Sequence, residues 1–143
     1  MKLADILVMI SEDFQIDITD LGNEAVRSSE LFQKYMPLYR EEKRTLEKLE
    51  SDRKLLISNK REYYSGNASA AVYQAKPWNG KTPATDIGFQ RLFEVDKDII
   101  AYDENLIVQR DKVAMLVDCM DEIKRRSYNI RNAIDWQKFI NGA

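Results

Sequence analysis

The most regular pattern in the chain is a hydrophobic repeat that runs through its last third. Alternate steps of three and four residues from Ile99 to Ile134 meet an apolar side chain at every position except Gln109 and Ser127. A 3.5-residue repeat kept over this length is typical of a helix that lies along a partner helix, in a bundle or a coiled coil. The pattern predicts a helical arm over residues 96–140. The positions expected to pack are Val113, Leu116, Met120, Ile123 and Ile130.

A second arm with the same repeat is predicted over residues 19–64. Pro37 lies inside it, and because proline in a helix interior removes a hydrogen bond and clashes with the preceding turn, we expect a kink or a short break there. Thr19 and Asp20 are suitable residues to cap the start of this arm. The positions expected to pack are Leu46, Leu49 and Leu56.

Three charged residues, Glu42, Arg53 and Lys60, occupy positions of this repeat where apolar side chains are expected. Charges at such positions reduce packing energy unless they set the register of the helices, form a functional surface or belong to a wide-pored assembly. Alternatively, the apolar seam drifts by about 20° per heptad around a straight helix, and the charges are solvated. The sequence leaves both interpretations open.

The remaining segments differ from the arms. Residues 1–18 are acidic, and apolar residues recur at helical spacing between Leu3 and Ile10, which predicts a short amphipathic helix. Residues 65–95 hold three of the five glycines and two of the three prolines, so we expect an irregular connector, interpreted as a mobile loop. The fold is therefore expected to be all-α and a single domain. Arms this long on 143 residues leave an apolar stripe that favours assembly into an oligomer.

Composition excludes several kinds of site. Histidine is absent and Cys119 is the one cysteine, so Cys/His zinc sites, disulfide frameworks and His-dependent nucleophile pairs lack their parts. Neighbouring carboxylates such as Glu41 and Glu42 point in different directions on a helix, so we expect no enzyme, cofactor or metal. Cys119 lies in an apolar helical stretch and is expected to pack. The absence of a long apolar run predicts a soluble, intracellular protein without a membrane span.

Charge is distributed unevenly around the net value of −2. Residues 1–30 carry seven acidic side chains and two basic ones, whereas residues 34–61 carry nine basic and five acidic ones. Cations that hold phosphates beside flat rings that stack on bases are what single-stranded nucleic acid binding requires. The candidate DNA-binding residues are Lys48, Arg53, Lys54, Lys60 and Arg61, with Tyr64, Lys124, Arg125 and Arg126 as secondary contacts. Alternatively, these charges form a solvated face or offset a helix dipole.

Three segments, REYYSG at 61–66, VDKD at 95–98 and DEIKRRSYNI at 121–130, together resemble the UvsY family of phage recombination mediators. The resemblance extends at low identity over nearly the whole chain. It implies a non-enzymatic, ring-like homo-oligomer of the hexamer or heptamer class that binds single-stranded DNA in the cytoplasm of the infected host cell. It also implies that the protein helps a UvsX-type recombinase to displace the phage single-strand-binding protein.

The same resemblance bears on individual residues. The family's helix before the YYSG element carries basic residues credited with DNA contact, and Lys60 or Arg61 is the counterpart here. Another basic position of the family falls at Ser58 or Asn59, where Lys54 is the nearest substitute. The alternative function is a structural or adaptor coiled coil whose basic arm contacts acidic protein partners. Affinity for oligothymidine that grows with its length would separate the two.

Overall fold

The computed structural model describes residues 1–142 and is all-helical within them. It confirms the prediction of a short N-terminal helix and two long arms. The arms are 44 residues each. The helices are α1 (Leu3–Asp13), α2 (Leu21–Tyr64), α3 (Ala70–Ala75), α4 (Asp86–Glu94) and α5 (Lys97–Ile140). Their residues form two compact units: residues 1–44 with the chain from Gln109 onward, and residues 45–108.

The start and the middle of α2 differ in part from expectation. Asp20 precedes the first helical residue, and its carboxylate accepts a hydrogen bond from the side-chain amide of Asn23 at 2.8 Å. The Thr19 hydroxyl instead donates to the Asp17 carboxylate at 2.5 Å. The helix continues through Pro37 without a break. None of the five helices in residues 1–142 combines the length and hydrophobicity needed to cross a membrane.

The core of the first unit joins α1, α2 and α5. Its buried side chains come from all three helices, and Ile6, Tyr35 and Leu116 have no exposed surface. Cys119 is buried beside them, as predicted, and burial with nearby acidic groups raises the pKa of its thiol to about 11. The other buried members of the cluster are Leu31 and Ile123.

The apolar seam of α5 differs from the sequence prediction at two positions. It passes through Cys119 and Arg126, which are buried, whereas Met120 is half-buried and Ser127 is exposed. From Leu116 the buried positions advance by three and then four residues, whereas the prediction advanced by four and then three; both orders stay on one side of a helix. Among the other predicted packing positions, Leu116, Ile123 and Ile130 are buried. Those that are half-buried are Leu46, Leu49, Leu56 and Val113.

The connector contains two helices where a loop was expected. α4 packs Phe89 and Phe93 into the core of the second unit with Tyr64 and Ile99. The Thr85 hydroxyl caps α4 by accepting from the Gly88 amide at 3.3 Å. Residues 65–95 are therefore irregular only outside α3 and α4.

α2 ends at a glycine in the left-handed conformation. Gly66 has a φ of 77°, and the Asn67 amide donates back to the Glu62 carbonyl at 3.0 Å. This is a Schellman C-cap, in which a residue without a Cβ reverses the chain at low cost. The resemblance segment REYYSG is thus the end of α2 together with its cap.

The charged seam positions of α2 each pair with a polar residue of α5 inside one unit. In the first unit, the Glu42 carboxylate accepts a hydrogen bond from the side-chain amide of Gln109 at 2.7 Å. In the second unit, Arg53 binds Asp103 and Lys60 binds Asp98, both at 2.6 Å. These charges are therefore paired rather than merely solvated. Polar pairs of this kind fix the register of two helices, because apolar side chains alone tolerate a shift.

Candidate nucleic-acid interface

The five candidate DNA-binding residues of α2 fall into two groups. Lys48 and Lys54 are exposed, and neither forms an ion pair or hydrogen bond with another residue in the described part of the chain. Arg53, Lys60 and Arg61 are half-buried, and each is held by at least one carboxylate of the same unit. Lys48 and Lys54 could therefore bind an anion without breaking an existing contact. Arg53, Lys60 and Arg61 would first have to release a carboxylate.

Arg53 and Arg61 are held by different contacts. The Arg53 guanidinium donates two hydrogen bonds to Asp103, at 2.6 and 3.1 Å, and these raise the pKa of Arg53. Arg61 donates to Asp86 at 3.0 Å, and its guanidinium carbon lies 4.6 Å from the centre of the Phe89 ring. The ring face and the carboxylate together hold Arg61 against α4.

Lys60 belongs to a four-residue charge network. Its ammonium lies 2.6 Å from Asp98 and 3.2 Å from Asp96, and the same Asp98 oxygen accepts from Lys76 at 2.7 Å. Burial opposes the charge on Lys60, but the hydrogen bonds to Asp98 and Asp96 outweigh it and raise the pKa of Lys60. Hydrogen bonds from both lysines lower the pKa of Asp98 to about 2.

Tyr64, the candidate stacking residue, is buried at the end of α2. Its hydroxyl donates to the Asp96 carboxylate at 2.6 Å, and its ring lies edge-on to Trp78 with centroids 5.2 Å apart. Burial, followed by the bond to Asp96, raises the pKa of Tyr64. Neither face of this ring is presented as an open platform for a base.

Asp96 joins this cluster to the start of α5. One carboxylate oxygen accepts from the backbone amides of Asp98 and Ile99, at 2.9 and 3.1 Å, and so caps the helix. Its other oxygen accepts from Tyr64. Burial alone would raise the pKa of Asp96, but these hydrogen bonds and the contact with Lys60 lower it. Asp96 is therefore a structural residue.

A cavity of about 640 Å³ opens beside the charge network. Its apolar wall is formed by Tyr63 and by Val72 and Ala75 of α3, and its charged lining includes Lys60, Lys76 and Asp98. The Tyr73 ring stacks on Tyr63, with centroids 5.3 Å apart. Connector residues therefore complete the surface that the end of α2 begins.

The secondary candidate residues on α5 are also of two kinds, one buried and paired and the others exposed. Arg126 is buried and bound to the Glu24 carboxylate of α2 in the first unit, so it does not face solvent. Lys124 and Arg125 are exposed, and Arg125 lies 3.5 Å from Glu122. Lys124 also lines a cavity with Arg131 and Tyr128.

Sequence reasoning did not single out Lys76, Asp86, Asp98 or Asp103 as parts of this interface. The VDKD segment at 95–98 contributes to the family resemblance only, and no local signal connects it with the basic end of α2. These contacts form because α2 and α5 run in opposite directions within this unit.

The fold and the exposed cations together define a class, that of all-helical proteins with a basic surface suited to an anionic ligand. A family model described as "Recombination, repair and ssDNA binding protein UvsY" matches residues 9–143. The chain belongs to the UvsY family, as its resemblance predicts, and this gives it a general role in recombination and single-stranded DNA binding.

Comparisons with individual proteins give the same family. The chain is 23% identical over 142 residues to the recombination protein uvsY of Enterobacteria phage T4, and the match covers 99% of each chain. Two crystal structures of the bacteriophage T4 recombination mediator protein UvsY are similar in fold. Lattice type II has a TM-score of 0.82 at 22% identity over 99% of this chain and 98% of the other. Lattice type IV has a TM-score of 0.79 at 23% identity over 97% and 98%.

Proposed function

We propose that this protein is a recombination mediator that binds single-stranded DNA as a ring-like homo-oligomer. It promotes the loading of a UvsX-type recombinase onto DNA covered by the phage single-strand-binding protein, in the cytoplasm of the infected host cell. The observation that carries the proposal is the family match, which covers nearly the whole chain. A structure of similar fold, matched over 99% of this chain and 98% of the other, is described as a recombination mediator.

The mechanism rests on coupled binding equilibria. Each subunit is close to neutral, so a ring gains affinity by presenting several weak cationic sites to one strand. DNA held along these sites takes a path that favours the recombinase and disfavours the resident single-strand-binding protein. The change is a shift in populations, driven by the difference in affinity of each partner for the held strand.

Lys48 and Lys54 are the primary contacts in this proposal, because both are exposed and unpaired within residues 1–142. Replacing both by alanine is expected to weaken oligothymidine binding by about tenfold and to reduce the salt slope by about 0.7 for each lysine engaged. Fluorescence anisotropy across a salt series measures both quantities.

The matched control is the double variant K81A/R91A, which removes two exposed and unpaired cations from the same unit of the described chain. It is expected to bind nearly as the parent does. Equal affinity and equal salt slope in K48A/K54A and K81A/R91A would remove Lys48 and Lys54 from the proposed interface.

The end of α5 supports self-association. Trp136, Phe139 and Ile140 are 61%, 73% and 62% exposed, and the two rings stack with centroids 5.6 Å apart. Exposed apolar groups gathered in this way mark interaction surfaces in soluble proteins. We assign this surface to a second copy of the chain.

Replacing Trp136 and Phe139 by serine is expected to dissociate the assembly while leaving the helical content unchanged, because both side chains are exposed. Light scattering gives the mass, and circular dichroism gives the helix content. The control I87S/V95S makes the same change at two residues that are 68% and 71% exposed elsewhere. An unchanged mass for W136S/F139S would exclude this surface from the assembly.

The proposed function is tested by titrating labelled oligothymidine with the protein over a salt series while light scattering fixes the mass of the complex. Tight binding by a large multimer that weakens steeply with salt supports the mediator. A multimer that does not bind DNA would favour the adaptor function, in which the basic arm contacts acidic protein partners. Recombinase loading onto DNA covered by the single-strand-binding protein is then measured directly.

A further inference from the structure

Two lysines from different segments meet on one carboxylate oxygen at the end of α2. Asp98 Oδ2 accepts from Lys60 Nζ at 2.6 Å and from Lys76 Nζ at 2.7 Å. Lys60 lies on α2, whereas Lys76 follows α3 in the connector. The Lys76 side chain is 63% exposed and that of Asp98 is 46% exposed, whereas that of Lys60 is 14% exposed, so an incoming anion would approach from the Lys76 side.

The carboxylates of Asp98 and Asp96 have different hydrogen-bond partners. Asp96 caps α5 and holds the Tyr64 hydroxyl, so the fold requires it. The Asp98 carboxylate accepts hydrogen bonds from Lys60 and Lys76 and from no other group in residues 1–142. The Lys76–Asp98 pair is exposed, and such pairs contribute little to stability, so an incoming anion displaces Asp98 from Lys76 at low cost. Lys60 keeps its contact with Asp96 during this exchange.

A phosphodiester offers the same chemistry as the carboxylate, namely a singly charged group with oxygens that accept from two ammonium ions. We propose that Lys60 and Lys76 form a backbone-phosphate site for single-stranded DNA, which the Asp98 carboxylate occupies until the strand displaces it. The inference rests on the proposed function and adds to it a contact from the connector and an internal competitor.

The neighbouring cavity fits the same strand. Its volume of about 640 Å³ lies within the range of small-ligand sites, and Tyr63, Val72 and Ala75 give it an apolar wall next to the two lysines. A phosphate on Lys60 and Lys76 places the adjoining nucleoside at the mouth of this cavity. A free phosphate ion would use the lysines but not the apolar wall.

The first test is the variant Asp98→Asn. It removes the carboxylate that the two lysines share, which leaves Lys60 with Asp96 alone, and oligothymidine affinity is expected to increase by about two- to tenfold. In the parent, the displaced Asp98 carboxylate attracts a cation from solution. This uptake partly cancels the release of cations from the DNA and so makes the salt slope shallower. Without it, the salt slope steepens by about 0.7 for each additional phosphate that the lysines neutralise. The control Asp111→Asn removes one exposed carboxylate from the other unit and is expected to change binding little.

The second test addresses Lys76. In the Asp98→Asn background, K76A is expected to abolish most of the increase in affinity, and in the parent it weakens binding more than K81A does. Inorganic phosphate at matched ionic strength is expected to compete with oligothymidine more weakly than a second oligothymidine at equal phosphate concentration. Circular dichroism checks that each variant is folded. If D98N does not fold, the comparison of K76A with K81A in the parent still tests Lys76.

Three outcomes would overturn the inference. D98N binding no tighter than D111N would show that Asp98 does not compete with DNA. An undiminished increase in affinity in D98N/K76A would exclude Lys76, and competition by free phosphate as strong as by oligothymidine would exclude the strand as the preferred ligand. Failure of the parent itself to bind oligothymidine would overturn the proposed function as well, so the two failures are distinguishable.

Discussion

Glu24→Ala is expected to lower the free energy of unfolding by about 3 to 5 kcal/mol, because it leaves the Arg126 guanidinium buried without a counter-charge. Arg126 is 2% exposed, and two of its nitrogens, Nε and Nη1, already lack a hydrogen-bond partner in residues 1–142. The Glu24 carboxylate is thus the group that compensates this charge. Urea denaturation followed by circular dichroism measures the loss.

The matched comparison is Arg126→Met, which removes the buried charge itself and keeps a long apolar side chain. It is expected to cost much less than Glu24→Ala, because Glu24 retains Arg27 at 3.6 Å. Adding Arg126→Met to Glu24→Ala is expected to restore part of the lost stability. Equal losses of unfolding free energy for the two single variants would contradict the explanation that the uncompensated arginine charge causes the loss in Glu24→Ala.

Asp96→Ala is expected to destabilise the protein by about 2 to 4 kcal/mol, since it removes the cap of α5 and leaves the buried Tyr64 hydroxyl without its acceptor. Asp96→Asn retains an oxygen for the cap and is expected to cost less. Thermal and urea denaturation measure both variants. Losses that do not differ between alanine and asparagine would contradict the capping role.

Acid provides a second readout for Asp96. Its pKa is lower in the folded state than in the unfolded chain, so the carboxylate stabilises the fold above the unfolded pKa of about 3.9. That contribution is lost as the pH falls through the folded pKa. Asp96→Asn is therefore expected to lose less stability than the parent when the pH falls from 5 toward 2.

Local periodicity was sufficient to predict the arms. The predicted ranges 19–64 and 96–140 differ from α2 and α5 by two residues or fewer at each end. Periodicity was less informative in the connector, where glycine and proline masked the spacing of Phe89, Leu92 and Phe93 that builds the apolar face of α4.

The candidate site was harder to predict, because charge partners depend on the register of two distant segments. Lys60 and Asp98 are 38 residues apart in the sequence, and Arg53 and Asp103 are 50 apart. For Arg126 a local signal did exist. It lies three residues after Ile123 and four before Ile130, which places it on the buried face of α5 despite its basic neighbours.

The polar pairs between α2 and α5 also constrain how the sequence can evolve. A change at Arg53 leaves Asp103 without its guanidinium, and a change at Glu42 leaves the buried Gln109 side-chain amide with only the backbone carbonyl of residue 42 as acceptor. Each position is therefore free to vary only together with its partner on the other helix. Distant relatives that keep this fold should exchange these residues in matched sets, whereas Lys48 and Lys54, which have no such partner within residues 1–142, are expected to vary independently of α5.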